Sequence, residues 1–461
     1  MQRLYVIQEV LLTGKRVNGI KGPTPLTKLR TLNYCRSWIP EYMHAVCLGI
    51  IKYLILLWIT PKYKAEPWYI GQYLHLINVR LERTKPPYDV TRTPRSFSTI
   101  ASWKASEFKS FALYYFPILD GFLPEPYFSH FSDFCHGFYV LLLERVSRPT
   151  VRAIDSLMRR FVRDTCYLYG EQHVTHNFHL ATHLVESNLD WGQQWANSAF
   201  IPEWFIGQLQ SSANGTQSVI EQMAKNFQIQ NVVRNEAIDL IKNEPVPNHV
   251  SKLLREMLCL PHLIGVELIK NNKVVDLVDI RFKLIGKPVV RSLSAIEKAA
   301  LTTNFQQSML SNGTLADLND ILTRPACFFP RIIHSNGSIF TTSSYVRSKK
   351  RINYVCLLEN GSFFLIENIL YIDACKFDFN KKAFILGRSL GTKSIELYTP
   401  LPTSCTTFTT IMGQTSKLQG RSCKLELYLV SQIFKKCVVS FINSMSDSIT
   451  ATALANSLET D

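Results

Sequence analysis

The stretch Glu41-Tyr-Met-His-Ala-Val-Cys-Leu-Gly-Ile-Ile-Lys-Tyr-Leu-Ile-Leu-Leu-Trp58 decides how the first half of the chain is read. It follows Pro40, and proline is tolerated just ahead of a helix because its missing N–H is not needed there. The apolar side chains surround the helical axis on nearly all sides, which predicts one largely buried helix. The longest apolar run, Val46 to Ile59, is interrupted by Lys52 and is shorter than the ~20 residues of a membrane span, so the helix belongs to a protein core.

Outward from this helix the pattern stays helical. Ser106 to Phe116 repeats apolar residues at helical spacing up to Pro117. Thr150 reads as the cap of an amphipathic helix with Ile154, Leu157, Met158, Phe161 and Leu168 on one face, stopped by Gly170. Residues 1–230 are therefore expected to form a helical unit. Its connectors Lys85-Pro86-Pro87 and Thr91-Arg-Thr-Pro-Arg95 read as solvated loops, with phosphate contact as the alternative. Residues 231–322 are less periodic and read as a connecting region, with one helix announced by the capping box Ser294-x-x-Glu297.

From residue 323 the period changes to that of strands. Cys327 to His334, Asn336-Gly337 and Ile339 onward spell a hairpin, and Ile352 to Leu358 pairs with Ser362 to Ile372 across Asn360-Gly361. Cys423 to Phe434 supplies a further strand. Residues 323–440 thus predict a small β domain, a barrel or rolled sheet, and the Ser/Thr/Ala-rich residues 441–461 read as a flexible tail.

Composition narrows the function classes. The 51 basic and 36 acidic side chains give a formal charge of +15, which favours a polyanionic partner such as DNA. The 11 cysteines are scattered without a CxxC pair, which fits reduced thiols in an intracellular protein better than a disulfide framework. Met1 to Ile7 carry no signal-peptide pattern.

Three blocks, in order, carry a family resemblance. They are Gly19-Ile-Lys-Gly-Pro-Thr-Pro-Leu26 with Ile39-Pro-Glu-Tyr-Met-His-Ala-Val-Cys-Leu-Gly49; Leu168-Tyr-Gly170 with Thr175-His-Asn-Phe-His-Leu-Ala-Thr-His183; and Trp191-Gly192 with Ser198-Ala-Phe-Ile-Pro-Glu203 and Gly207-x-Leu209. Together they resemble the transposase domain of CACTA/EnSpm elements. The resemblance implies an α+β chain, with an incomplete RNase H-like core, a large helical insertion and the small C-terminal β domain. In such enzymes three carboxylates hold two metal ions, with magnesium as the expected metal of an active site.

Carried over residue by residue, the second carboxylate falls on Glu41, where the family has Asp, and the third on Glu203. The first falls on no residue of the chain. Ile206 also replaces the family's usual Asn. The resemblance therefore implies a nuclear, transposon-derived protein that associates with DNA and does not cut it by itself. Multimer formation is implied as well. Two rivals stand beside this reading: a protein-interaction scaffold with no DNA role, and a fragment of a longer active transposase.

The remaining candidates come from spacing. His44 lies one turn from Glu41 and can orient its carboxylate, although a satisfied core histidine is the plainer reading. His176, His179 and His183 share a helix face at i, i+3 and i+7. That spacing resembles a zinc site, but no Glu follows His179 and no Cys pair is near, so structural, hydrogen-bonded roles are expected for Asn177, His179 and His183. In the β domain, Tyr345, Arg347, Lys349, Lys350, Arg351 and Tyr354 interleave rings and cations as a nucleic-acid surface does, with a charged turn as the alternative.

Overall fold

A computed structural model describes residues 9–10, 12–15, 29, 37–243, 274–308, 315–345, 351–372, 382–394, 415–421, 424–441 and 449–455. The architecture is mixed α+β, with a helical N-terminal half and β-rich sheets in the C-terminal half. Among the described residues no strand precedes Val274.

The helical half is built around the quoted stretch. It starts as a π-helix, Met43–Ile51, and passes directly into the α-helix Lys52–Ile59 (α1). One regular α-helix was expected here; the wider π turns sit where functional or packing constraints often insert extra residues. Then follow α2 (Leu74–Arg83), α3 (Ala105–Ser110), α4 (Glu125–Leu141), α5 (Arg148–Tyr169), α6 (His176–Ala181), α7 (Leu184–Trp191), α8 (Phe200–Ser211) and α9 (Val219–Asn243).

The core of this half is aromatic. Phe134 of α4 stacks on Phe161 of α5 at 4.3 Å between ring centroids, and Trp58 meets Phe131 edge-on at 5.0 Å. Trp58 also donates its indole N–H to the Tyr169 hydroxyl at 3.0 Å, which satisfies the one polar atom that burial of the ring would strand. Helix α5 ends at Gly170, whose φ of 95° few other residues adopt. Its N-cap is Ser147, not Thr150: the Ser147 hydroxyl accepts from the Thr150 N–H, and Pro149 occupies the first turn, where its missing N–H is harmless. The helical unit also outlasts residue 230, because α9 runs unbroken to Asn243.

The C-terminal half holds β1 (Val274–Asp276), β2 (Phe282–Ile285), β3 (Val289–Arg291), β4 (Ala326–Phe329), β5 (Arg331–His334), β6 (Ile339–Thr341), β7 (Val355–Leu358), β8 (Phe363–Ile372), β9 (Lys382–Ser394), β10 (Thr415–Arg421), β11 (Glu426–Leu429), β12 (Ile433–Phe441) and β13 (Ile449–Ala453), with helices α10 (Ala295–Ser308) and α11 (Leu315–Thr323). One sheet has the order β1-β2-β5-β6. In the other, the run β9-β10-β13-β12-β7-β8 returns to β9 through the β8–β9 pairing, so the sheet closes into an antiparallel barrel, as one branch of the sequence reading anticipated. Closure demands a close strand approach at Gly387, where any Cβ would overlap the Leu365 carbonyl oxygen.

Two expectations are corrected in this half. Residues 231–322 are not merely a connector, since β2 pairs with β5 and β3 with β4. Nor are residues 441–461 a loose tail throughout: Ile449–Ala453 forms β13, paired between β10 and β12, with Ala451 and Ala453 fully buried. β13 reads Ile-Thr-Ala-Thr-Ala, so its Thr/Ala composition resembled a tail while the alternation of threonine with alanine suited a barrel wall. The capping box is present, with the Glu297 carboxylate accepting from the Ser294 N–H at 2.8 Å.

The halves are joined by polar contacts. The connector Lys85 to Thr91 is docked on the barrel, with Pro86, Pro87 and Val90 buried while Tyr88, Asp89 and Thr91 stay exposed. Arg351 donates to the carbonyls of Pro87, Val90 and Thr91, and Lys436 pairs with Asp89 at 2.6 Å. Tyr139 of α4 donates its hydroxyl to the Ala453 carbonyl, and Val438, Leu454 and Ala455 enter the helical core.

Candidate functional site

Glu41 stands at the entrance of the Met43–Ile51 helix and does more than face its first turn. One carboxylate oxygen, Oε1, accepts from the N–H of Met43 at 2.8 Å and from the N–H of Ala199 at 2.9 Å. The other, Oε2, accepts from the His44 N–H at 2.9 Å and lies 2.8 Å from His44 Nδ1. Ala199 is the residue that opens α8. A single side chain therefore caps two helix N-termini, where free N–H groups and the helix dipoles both favour a negative charge.

Neighbouring contacts hold α8 against this cap. Tyr42 is fully buried, with its ring 5.6 Å from Phe138 and 5.9 Å from Phe200. The Lys109 ammonium lies over the Phe200 ring at 4.7 Å. Glu203 follows in the first turn of α8, and its Oε1 lies 3.4 Å from His44 Nε2. The two carboxylates named by the resemblance are thus brought to opposite sides of one imidazole. His44 is exposed rather than a core histidine, with 56% of its side chain accessible, and Glu203 is as open at 57%.

Magnesium does not fit this arrangement. An ionised carboxylate has about four acceptor positions, and the two oxygens of Glu41 already meet four nitrogen-bound donors or ring positions. A metal ion could bind Glu41 only by displacing a helix cap or the His44 ring. With Nδ1–H donating to Glu41, Nε2 can donate to Glu203 as well only when the ring is doubly protonated.

The second block folds beside it. Asn177 packs its side chain over Gly49 of the π-helix, so that a Cβ at Gly49 would come within 2.5 Å of the Asn177 amide nitrogen. His183 Nε2 lies 3.3 Å from His179 Nε2, and its Nδ1 lies 3.3 Å from Glu186 Oε2. His176 is exposed, its ring 6.3 Å from that of His179.

The basic stretch of the β half is divided. Arg347, Lys349 and Lys350 lie outside the described residues, as does the Gly19 to Leu26 block. Arg351 is half-buried and donates its guanidinium to three carbonyls of the docked connector, with the Tyr88 ring 5.3 Å away, so it clasps the two halves together. Tyr354 packs against the barrel core, and the Tyr345 ring lies 5.2 Å from the Arg331 guanidinium. In the helical half, Arg95 is bound to the carboxylate of Glu107.

Sequence reasoning missed the Glu41–Ala199 bond and the docking of Lys85 to Thr91. Neither leaves a local signal, because each joins residues far apart in the chain. Among the described residues Cys47, Cys135, Cys166, Cys327, Cys356 and Cys437 form no disulfide, and no helix is long and apolar enough to cross a membrane. Comparison with known protein families, curated proteins and solved structures finds no match to this chain.

Proposed function

We propose that the chain is a transposase-derived nuclear protein that associates with DNA and does not cleave it alone. The observation that carries this reading is the meeting of Glu41, His44 and Glu203. Positions that the CACTA/EnSpm resemblance assigns to metal-binding carboxylates do converge, but on an imidazole and on helix N–H groups. On this reading an ancestral metal site has become a structural clasp. The helices from Met43 to Asn243 then correspond to the helical insertion of an incomplete RNase H-like core, a part of the proposal carried by the resemblance. The formal charge of +15 supports attraction to a phosphate backbone.

A titration of the purified chain with duplex DNA at low and high salt, with and without magnesium, tests the proposal. The expected result is binding that weakens steeply with salt and leaves the strands intact. Magnesium-dependent nicking abolished by Glu203→Ala would overturn the loss of cleavage. Absence of binding at low salt would favour a protein-interaction scaffold instead.

A further inference from the structure

We propose that His179 and His183 form a two-imidazole clip for a divalent transition metal of the zinc class, with Glu186 as the residue that presets it. The clip is independent of the DNA reading, and its residues are separate from Glu41, His44 and Glu203.

The geometry comes from the turn between α6 and α7. Phe178 and Ala181 anchor α6 in the core, and the Thr182 hydroxyl donates to the His179 carbonyl at 2.7 Å. The His183 N–H in turn bonds the Leu180 carbonyl at 3.0 Å, which tightens the turn and sets the two imidazoles against each other. Their planes stand at 79° with centroids 4.9 Å apart, and the Nε2 atoms approach to 3.3 Å. That separation is longer than the usual range for a nitrogen-donated hydrogen bond. It equals one edge of a coordination tetrahedron: two zinc–nitrogen bonds of about 2.05 Å spanning 3.3 Å subtend about 107° at the metal.

The second observation is how His183 is held. Glu186 Oε2 lies at its Nδ1, and Glu186 Oε1 lies 3.7 Å from Arg159 on α5, which is itself bonded to Asp155 at 2.8 Å. A carboxylate at Nδ1 keeps the proton there and leaves the Nε2 lone pair directed at His179, the arrangement that orients metal-bound histidines. Before metal binds, the His179 Nε2–H fills the gap. When metal binds, that proton gives way to the ion and His179 takes the Nδ1–H form, with solvent carrying the proton. Among the described residues no group of three or more His, Cys, Asp or Glu converges on one point, so water completes the coordination. Both imidazoles are open enough to solvent for an ion to reach them.

Calorimetric titration of the full chain with zinc chloride tests the clip. The expected result is one zinc ion per chain, bound at least tenfold more weakly by His179→Ala and by His183→Ala, about tenfold more weakly by Glu186→Gln, and unchanged by His176→Ala. Because these side chains lie at the surface, the variants keep the wild-type melting temperature. Two results would overturn the proposal: no zinc binding up to millimolar concentration, or an isotherm that His179→Ala and His183→Ala leave unaltered. Nitrogen-15 spectra of the imidazoles add a readout that a purely structural histidine pair would not move. His183 should carry its proton on Nδ1 in the metal-free chain, and His179 should change tautomer on zinc addition.

Discussion

At the scale of single residues, Glu41 shows how one carboxylate can be recruited by two elements. Its oxygens serve the N–H groups of Met43 and His44 on one helix and of Ala199 on another. Removing a helix cap costs about 0.5–2 kcal/mol, and here two helices lose theirs together. Glu41→Ala should therefore lower the melting temperature by several degrees, while Glu41→Gln, which keeps one acceptor oxygen, should lose less. Equal melting temperatures for wild type and Glu41→Ala would show that the double cap contributes nothing. The sequence made part of this legible, since Pro40 already pointed to a helix start at Glu41. The bond to Ala199 was not legible, because only folding brings α8 beside it.

At the scale of elements, the contact of α4 with α5 carries a built-in acid sensitivity. His130 and His136 are buried on α4, and burial pushes both imidazoles down to about 4, opposed by backbone hydrogen bonds at Phe161 and Ser132 and, for His130, by the charge of Asp164. The His130 Nε2 lies 2.9 Å from the Phe161 carbonyl on α5, which suits a neutral ring that donates there. In the unfolded chain these groups take up protons near their ordinary value of about 6.5, whereas in the folded chain they resist until about 4. The unfolded state thus binds more protons between those values, so stability falls as pH drops from about 6.5 towards 4. Thermal melts across that range should show the decline, and His136→Gln should flatten it; an unchanged slope would remove His136 from the account. Strand elements were unevenly legible. Hairpins with Asn-Gly turns were readable, whereas β1 and β3, at three residues each, are too short to show a period.

At the scale of the whole molecule, the two halves are held together by a buried ammonium that reaches a carboxylate at the surface. Lys436 is 4% exposed and pairs with Asp89, and desolvation holds its ammonium below the usual lysine range while Asp89 opposes that shift. Breaking such a pair from one side leaves an uncompensated buried charge, which costs about 3–5 kcal/mol. Asp89→Ala should destabilise the junction by that order and split a single calorimetric transition into two, the barrel melting apart from the helices. A single, unshifted transition in the variant would mean the halves are coupled elsewhere. Sequence could announce a helical half and a strand half, but not this junction. Lys85 to Thr91 has the composition of a solvated loop, and its docking depends on Arg351, Asn353 and Lys436 lying opposite.

The late strand β13 also governs when the protein can finish folding during its own synthesis. Val438, Leu454 and Ala455 belong to the core of the helical half, whose described helices end at Asn243. A ribosome adding about 5–20 residues per second needs roughly ten to forty seconds to travel from there to Ala455. For that interval the nascent helices carry an unfilled apolar seat, and the barrel has a gap between β10 and β12. The apolar seat and the strand gap stay open until β13 emerges, and a ribosome that stops short of Ile449 releases a product with neither half closed.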